Sequence, residues 1–410
     1  MITIENITAE EVTDSRGRPT IAVTVRVKDA SGTAEGTFAV PSGASTGTSE
    51  ANELRDEDGH MSSVLSNIND IIVPALRGMD VCDQSAIDKK MIELDGTPNK
   101  SRLGGNALIG VSIASAKAAA AAQSLEVYQY LKGLRDIRPS RSAPYLYLNY
   151  INGGKHAKSP LSFQEHMIVP ETDSVEAAIL CAKTVGSALA THIERRFGSL
   201  AAASIGDEGG FVLQDPSPHI PFELLHEAIK DSMVGMPVHI AIDAAATSFF
   251  NNGTYTVGGK PYSRDEMFAL YGDLSKEFSL LSIEDPFEEN AFDDFARLQA
   301  ASSTAIVGDD LTVTNVSRIQ EAVAKKSIRA IIIKPNQIGT LSETLDAMQL
   351  TRQNGIDCIV SHRSGETDDD FIADLAYAFG AFGLKAGALR KSERAVKYER
   401  LAEISKNSSL

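Results

Sequence analysis

The second half of the chain repeats one hydrophobic pattern, in which a short apolar run ends on a charged or ionisable residue and a helix-like stretch follows. The six runs are HIAID, LLSIE, AIVGD, AIIIK, CIVSH and FGLK, and they end at Asp243, Glu284, Asp309, Lys334, His362 and Lys385. The last five ends are 23 to 28 residues apart, about the length of one strand and helix unit in a closed parallel barrel. Because the carboxyl ends of barrel strands meet at one mouth, the pattern predicts that these side chains surround a single cavity.

The first third of the chain has a different pattern. Apolar and polar residues alternate over residues 2–7, 21–27 and 37–40, which predicts a three-stranded antiparallel sheet. An alanine-rich stretch at 106–123 predicts a helix that packs tightly against a neighbour. Sheet and helices together indicate a small α+β unit.

A polar segment that carries Gly and Pro, at 133–140, separates these elements from a new strand predicted at 145–148. We therefore place a domain boundary there, between an N-terminal α+β domain at 1–136 and a C-terminal β/α barrel catalytic domain at 137–410. The predicted fold class is α/β, with a three-stranded antiparallel sheet and helices followed by the barrel.

Composition and charge narrow the class of protein. The chain has 410 residues, of which 43% are hydrophobic and 23% charged, enough to bury a core in each of two domains. Its formal net charge of −16 argues against a nucleic-acid or anionic-membrane surface, which would require excess Lys and Arg. Three cysteines without CxxC spacing, no signal-peptide pattern and no long apolar run predict a cytoplasmic protein.

Three of the predicted strand ends are carboxylates, at Asp243, Glu284 and Asp309. Carboxylates that meet in a low-dielectric mouth repel one another unless a hard divalent cation neutralises them, and ligands that are all oxygen favour Mg²⁺. Any one of them alone is better explained as a helix N-cap or loop acid. Their equivalent positions in the barrel favour the metal site.

Two lysines and one polar segment could handle an anionic substrate. Burial of Lys334 at the end of an apolar strand could lower its pKa enough for it to act as a base, and Lys385 could bind an anion. Alone, each is better explained as a lysine whose ammonium reaches solvent. The segment SHRSGET, with Arg363 and Ser364, suits a phosphate, although a polar loop without a ligand is the alternative.

Further acids and one loop do not follow the strand pattern. Glu165 lies in QEH, and Glu208 lies in GDEGG, whose glycines leave the backbone free to aim a carboxylate. Taken alone, GDEGG is more often a surface loop. The small-residue segment PSGASTG, which contains Ser45, is either a mobile lid or a plain connection, and it lacks the lysine of a nucleotide-binding loop.

Read in order, these segments carry a family resemblance. The motifs are DSRGRPT, PSGASTG, ELRD, NKSRLGGNA, NGGKHA, QEHMI, GDEGG, SIEDPF, GDDLTVTN, IKPNQIGTLSET, SHRSGET, FIADL and KSER. From about residue 3 to residue 400, the chain resembles the enolases, and IKPNQIGTL is most similar to archaeal members. Each motif is weak alone, but the ordered set is specific.

The resemblance implies a role for each residue of the predicted cavity. Lys334 removes the proton at C2 of the substrate, while Glu208, supported by Glu165, protonates the departing C3 hydroxyl. The implied ligands of the first Mg²⁺ are Asp243, Glu284 and Asp309, and Ser45 is the implied ligand of the second. The remaining contacts to the substrate are implied for Lys385, Arg363, Ser364, Gln164, Ser45, His156 and His362.

The activity implied by the resemblance is the Mg²⁺-dependent, reversible dehydration of 2-phospho-D-glycerate to phosphoenolpyruvate, a hydro-lyase reaction of glycolysis and gluconeogenesis. Two Mg²⁺ per active site, a homodimer or larger homo-oligomer and a cytoplasmic location are implied as well. The alternative is a paralogue that acts on a related phosphonate or phosphorylated hydroxy acid in specialised metabolism. A non-catalytic binder and an acid-sugar dehydratase are further alternatives, disfavoured by the retained catalytic residue types and by the phosphate motifs.

The chain departs from the family pattern near the implied site and at the implied dimer contact. The departures near the site are Ser204, His166, Leu389 and Lys391, of which His166 directly follows Glu165 and could alter its pKa. Ala22 and Glu403 stand where family members pair a glutamate with an arginine across the dimer. A looser or rebuilt dimer is therefore expected.

Overall fold

The computed structural model describes residues 1–30, 32–43 and 47–408. The chain starts with an antiparallel sheet of three strands in sequence order, β1 (Thr3–Thr13), β2 (Pro19–Lys28) and β3 (Thr33–Ala39). The predicted sheet is therefore confirmed. Strand β1 continues past the predicted apolar run because its polar second half remains paired with β2 at the edge of the sheet.

Helices follow the sheet and cover one of its faces. They are α1 (Ser62–Asn67), a π-helical turn (Ile68–Ile72), α2 (Val73–Leu76), α3 (Gln84–Asp95), α4 (Gly105–Ala122) and α5 (Val127–Leu134). Helix α4, predicted from its alanines, packs against β2 and β3. It is long and apolar enough to cross a membrane, but 83% of it is buried inside the protein, as in a core helix.

The close packing of α4 on β3 depends on Gly36. A Cβ at this position would collide with the backbone of Ala114 and Ala118 in α4. We therefore expect Gly36→Ala to lower the free energy of unfolding by about 1–3 kcal/mol or more, because the backbone must move to relieve the overlap. Urea denaturation followed by circular dichroism measures this change.

The matched control for that substitution is Gly133→Ala near the end of α5, where nothing lies within 4 Å of the added Cβ. This control is expected to keep the wild-type denaturation midpoint. Equal midpoints for the two variants would show that the sheet and helix are not in the close contact described here.

The rest of the chain builds a barrel flanked by a small hairpin sheet. Its strands are β4 (Tyr145–Asn152), β5 (Glu165–Pro170), β6 (Phe211–Val212), β7 (Val238–Asp243), β8 (Phe250–Asn251), β9 (Thr254–Val257), β10 (Lys260–Tyr262), β11 (Ser282–Glu284), β12 (Ala305–Gly308), β13 (Ala330–Ile333), β14 (Asp357–Ser361) and β15 (Gly383–Lys385). Eight of them, β4, β5, β7 and β11 to β15, form a closed barrel because β15 also pairs with β4. Strand β5 is antiparallel to both neighbours, and the other barrel pairs are parallel.

Helices surround the barrel and cover its outer face. They are α6 (Val175–Phe197), α7 (Ser199–Ala203), α8 (Ile220–Ser232), α9 (Arg264–Phe278), α10 (Phe292–Ala301), α11 (Val316–Lys325), α12 (Pro335–Ile338), α13 (Leu341–Gln353), α14 (Phe371–Ala378) and α15 (Ser392–Ser408). The sequence Thr340 to Glu343 has the pattern of a helix start, and α13 begins there. Thr340 caps the helix by accepting a hydrogen bond from the Glu343 N–H, and Asn354 follows its last residue.

The N-terminal unit lies against the mouth of the barrel. The backbone of Ser42 exchanges two hydrogen bonds with that of Gly365, at 2.7 and 2.9 Å, and the Ala51 N–H donates to the carbonyl of Gln337. Gly365 has to be a glycine, because a Cβ there would run into the side chains of Asp14 and Ser42. Residues 41–43 and 47–51 are thereby held beside the strand ends. The division at residues 136 and 137 stays a prediction.

Candidate active site

The barrel strands bring the six predicted side chains to one mouth. Asp243, Glu284 and Lys385 are the last residues of their strands, and Asp309, Lys334 and His362 each follow a strand directly. Five of the six line one cavity, and the sixth, Glu284, is buried beside it in contact with Lys385. The other residues that line this cavity include His156, Gln164, Glu165, Glu208, Asp285, Asp310, Arg363 and Ser364.

Lys385 is the central cation of the mouth. Its Nζ lies 2.8 Å from both oxygens of Glu284, 3.2 Å from Oε2 of Glu165 and 3.5 Å from Oδ2 of Asp243. Burial lowers the pKa of Lys385, but the attraction of the surrounding carboxylates outweighs it and the pKa lies well above its usual value. Lys385 is therefore a fixed positive charge, as an anion-binding role requires.

Within the described residues, Lys334 forms one ion pair with a carboxylate. Its Nζ donates to Oδ2 of Asp309 at 2.5 Å, while Oδ1 of Asp309 accepts from Gln337 at 2.9 Å. Burial lowers the pKa of Lys334, but Asp309 raises it by more, so the pKa lies above its usual value. The prediction of a lowered pKa is wrong for this arrangement because the ion pair holds the proton on the lysine.

The carboxylates of the mouth fit a hard cation. Among the described residues, the sets with three ligand atoms within 4.8 Å of one another are Asp285, Asp309 and Asp310 on one side, and His156, Glu165 and Glu208 on the other. The predicted ligands Asp243 and Glu284 belong to neither set, and both contact the Lys385 ammonium. Most donors in the mouth are carboxylate oxygens, the type that Mg²⁺ prefers.

Asp285 and Asp310 are acids that the sequence reasoning missed. The carboxylate of Asp285 accepts hydrogen bonds from the N–H groups of Asp309 and Asp310, at 3.0 and 2.6 Å, and so fixes the turn that carries Asp309. Burial and repulsion between neighbouring acids raise the pKa of Asp285 well above its usual value and that of Asp310 to about 7. Their signal was the second acid in SIEDPF and in GDD, next to residues already singled out.

Glu165 and Glu208 share one end of the cavity with His156. The Nδ1 atom of His156 lies 3.4 Å from Oε1 of Glu165 and 3.3 Å from Oε1 of Glu208, and Asn149 donates to Glu208 at 3.0 Å. Burial and the charge of Glu208 raise the pKa of Glu165 well above its usual value. Of the two carboxyl groups, Glu165 is therefore the one that holds a proton more tightly.

The pKa of Glu208 is shifted in the opposite direction. Burial raises its pKa, but the neighbouring His156 and His362 outweigh burial and bring it well below the usual value. The expectation of a protonated Glu208 is therefore wrong for this arrangement, because two imidazoles from distant parts of the chain face its carboxylate.

Arg363 lies at the side of the cavity nearest the N-terminal unit. Both of its terminal nitrogens are 3.0 Å from Oε2 of Glu50, and one also donates to Oδ1 of Asn336 at 3.0 Å. Glu50 is a buried residue that sequence reasoning missed as part of the site. Ser364 lines the same side. Arg363 thus faces the cavity, where a phosphate would have to compete with Glu50.

The loop that contains the predicted Ser45 begins and ends in contact with the barrel. Ser45 itself lies outside the described residues. Beyond it, the backbone N–H and the hydroxyl of Thr48 donate to Glu289, both at 3.1 Å. The choice between a mobile lid and a plain connection stays a prediction.

Gln164 directly precedes strand β5, and Glu165 and His166 are the first two residues of that strand. Gln164 lines the cavity and donates to Asp243 at 3.3 Å. His166 is buried outside the cavity between Phe163 and Phe222, and burial lowers its pKa to about 4. A neutral imidazole there does not support the idea that His166 alters the pKa of Glu165.

Fold and site together define a two-domain β/α-barrel protein whose carboxylate and lysine pocket opens at the carboxyl ends of the strands. The family model described as "Enolase, N-terminal domain" matches residues 4–131, and "Enolase, C-terminal TIM barrel domain" matches residues 141–409. The chain belongs to the enolase family.

Relatives match almost the whole chain. It is 44% identical to an enolase of Methanocaldococcus jannaschii over 99% of this chain and 96% of the relative. It is 43% identical to an enolase of Methanopyrus kandleri, over 98% and 95% of the two chains, and 42% identical to enolase B of Dictyostelium discoideum, over 98% and 94%. The resemblance inferred from the motifs is thereby confirmed.

Proposed function

We propose that this protein is a hydro-lyase that reversibly removes water from 2-phospho-D-glycerate to give phosphoenolpyruvate, in glycolysis and gluconeogenesis. The observation that carries the proposal is the convergence of Lys334, Lys385 and a buried carboxylate cluster in one cavity beside Arg363. Membership of the enolase family supports it. The relatives that match over nearly their full length do not favour the alternative of a phosphonate-specific paralogue.

The difficult step is removal of a proton from the carbon next to a carboxylate. We assign this proton to Lys334, which can accept it only in its neutral form and must therefore first lose the proton that it shares with Asp309. Negative charge then develops on the substrate carboxylate, where the fixed charge of Lys385 stabilises it. The electron pair left by the C2 proton forms the double bond to C3 as the C3–oxygen bond breaks.

The departing hydroxide needs a proton to leave as water. We propose that Glu208 donates this proton and that Glu165 supplies it to Glu208. Glu165 has the raised pKa of the two, and His156 lies between the two carboxylates. His362 and Gln164 complete this end of the pocket. Arg363 and Ser364 are the proposed phosphate contacts.

We propose Mg²⁺ as the cofactor, with two ions per active site. Asp243, Glu284 and Asp309 would hold the first ion, and Ser45 would contribute to the second. When bound, the ions supply positive charge that stabilises the doubly negative carboxylate of the intermediate. A cytoplasmic location and a homodimer or larger homo-oligomer belong to the same proposal.

The two residues at the implied dimer contact have neighbours within their own chain. The Glu403 carboxylate pairs with Arg400 of its own helix at 3.1 Å, and Ala22 lies between Glu10 and Ala39 in the sheet. These contacts agree with the expected loss of one interchain ion pair. They leave the number of subunits as part of the proposal.

Purified protein with Mg²⁺ is expected to convert 2-phosphoglycerate to phosphoenolpyruvate, seen as the rise in ultraviolet absorbance of the enol ester. A chelator is expected to abolish the conversion, and added Mg²⁺ to restore it. The control is a phosphonate analogue of the substrate, for which turnover should be much slower. Turnover of the phosphonate but not of 2-phosphoglycerate would replace the proposed function with the paralogue alternative.

A further inference from the structure

Helix α15 presents three buried polar side chains to the back of the active-site loops. Lys397 donates to the carbonyl of Thr367 and pairs with Glu366 at 2.9 Å, while the hydroxyl of Tyr398 accepts from the Ala386 N–H at 2.9 Å. The third is Arg394, whose side chain is fully buried. The helix therefore contacts several loops of the mouth from outside the cavity.

The Arg394 guanidinium contacts His362 directly. Its Nη1 lies 2.6 Å from Nδ1 of His362 and also 2.6 Å from the carbonyl oxygen of Arg363. A guanidinium carries only N–H donors. Nδ1 of His362 must therefore be the acceptor, which makes the imidazole neutral and places its single proton on Nε2.

The proton on Nε2 faces the catalytic end of the cavity. Nε2 lies 3.4 Å from Oε1 of Glu208, and within the described part of the chain this buried nitrogen has no hydrogen-bond partner. It is thus a donor held ready for Glu208 or for a ligand in the cavity. The opposite tautomer would present a lone pair to the ionised Glu208 and repel it.

Arg394 also fixes the backbone that follows His362 and the backbone that precedes Glu208. Its Nη2 donates to the carbonyl of Ser364 at 2.7 Å and to that of Asp207, the residue before Glu208, at 3.3 Å. One guanidinium therefore joins the loop that carries His362 to the loop that carries Glu208. Both the orientation of the ring and its distance from Glu208 depend on this bridge.

We propose that Arg394 is a positioning residue that locks His362 in the neutral Nε2–H tautomer and aims this proton at Glu208 and the substrate. The catalytic part of the proposal rests on the proposed function, because the substrate is assigned there. Arg394 acts through His362 and does not touch the cavity itself.

The charges around His362 agree with a neutral ring. Burial and the nearby Arg394, Lys385 and Lys334 lower its pKa, and Glu208 raises it by less, so the pKa lies well below the usual value. Removal of Arg394 takes away one cation and the obligatory donor to Nδ1. Glu208 then favours a protonated ring.

The test is the nitrogen NMR of the ring in full-length protein labelled with ¹⁵N-histidine. The chain has 8 histidines, and His362→Gln identifies the signal of interest. In the wild type, Nδ1 of His362 is expected to be unprotonated and Nε2 protonated between about pH 6 and pH 8. In Arg394→Met, Nδ1 is expected to become protonated over part of this range. A wild-type ring protonated on Nδ1 would overturn the proposal.

Lys397→Met is the matched control, because it removes another buried cation from the same face of α15 without touching His362. It is expected to lower the melting temperature but to leave the His362 nitrogen signals unchanged. If both variants changed the signals alike, the effect would be loss of packing, and the proposal would fail. Should Arg394→Met not fold, Arg394→Lys, which keeps a donor for Nδ1, is expected to retain the wild-type tautomer.

Kinetics supply the second readout. In Arg394→Met, kcat is expected to fall roughly 10- to 100-fold, as for other groups that orient a histidine, with a changed pH profile, and Arg394→Lys to recover part of the loss. An altered tautomer with unaltered kcat would overturn the positioning role. The NMR result needs no substrate, so wild-type protein with the expected tautomer but no dehydration would refute the proposed function and leave the tautomer assignment standing.

Discussion

Replacing Lys334 with alanine is expected to lower kcat by about 10³-fold or more, within the range that a well-placed general base contributes. Lys334 Nζ reaches the mouth beside Asp309, whereas Lys385 Nζ pairs with Glu284. Lys385 cannot substitute for it, because the ring of carboxylates around Lys385 keeps that ammonium protonated. The same substitution should abolish exchange of the C2 hydrogen of 2-phosphoglycerate with deuterium in D₂O.

The variant Lys334→Arg distinguishes two effects of removing Lys334, the loss of the catalytic base and the loss of the ion pair with Asp309. Arginine keeps a positive charge beside Asp309 but does not give up its proton at neutral pH. We therefore expect this variant to be as inactive as Lys334→Ala while its melting temperature stays nearer to the wild type. An arginine variant that kept more than about a tenth of the wild-type kcat would assign proton removal to another residue.

The barrel could be predicted from the sequence because its strands are buried on both faces. Such strands read as continuous apolar runs, and in five of the six repeats the residue that ends the run is also the residue that lines the cavity. Strand β5 was not predicted as a strand. It is antiparallel to β4 and β7, so it breaks the strand and helix repeat that revealed the others.

The protonation states could not be predicted, because they depend on contacts between distant residues. Glu50 and Arg363 are 313 positions apart in the chain and meet only when the N-terminal unit lies on the barrel. Likewise, His156 lowers the pKa of Glu208, and Asp309 raises the pKa of Lys334. These residue types can be recognised in the sequence, but the fold determines the partner of each charge.

Glu284→Gln is expected to remove most of the stabilisation that Mg²⁺ gives the protein. Glu284 is buried. Burial together with the charge of Asp243 raises its pKa to about 8, because several carboxylates lie close together in the mouth. Gln keeps the shape but offers a neutral oxygen, a much weaker ligand for a hard cation. At a Mg²⁺ concentration of 100 times Kd, the wild type should gain about 2.7 kcal/mol, and a variant bound 100-fold more weakly only about 0.4 kcal/mol.

Melting temperatures with and without Mg²⁺ measure this difference, and a buried acid far from the mouth is the control. Asp88 in α3 accepts hydrogen bonds from the N–H and hydroxyl of Ser342, and its side chain is fully buried. Asp88→Asn should therefore lower the melting temperature in both conditions but keep the full Mg²⁺-dependent rise. In Glu284→Gln, by contrast, Mg²⁺ should raise the melting temperature only slightly, and the dehydration activity should be close to background. If Glu284→Gln kept the full rise, the cation would bind elsewhere, and the set Asp285, Asp309 and Asp310 would become the first place to look for it.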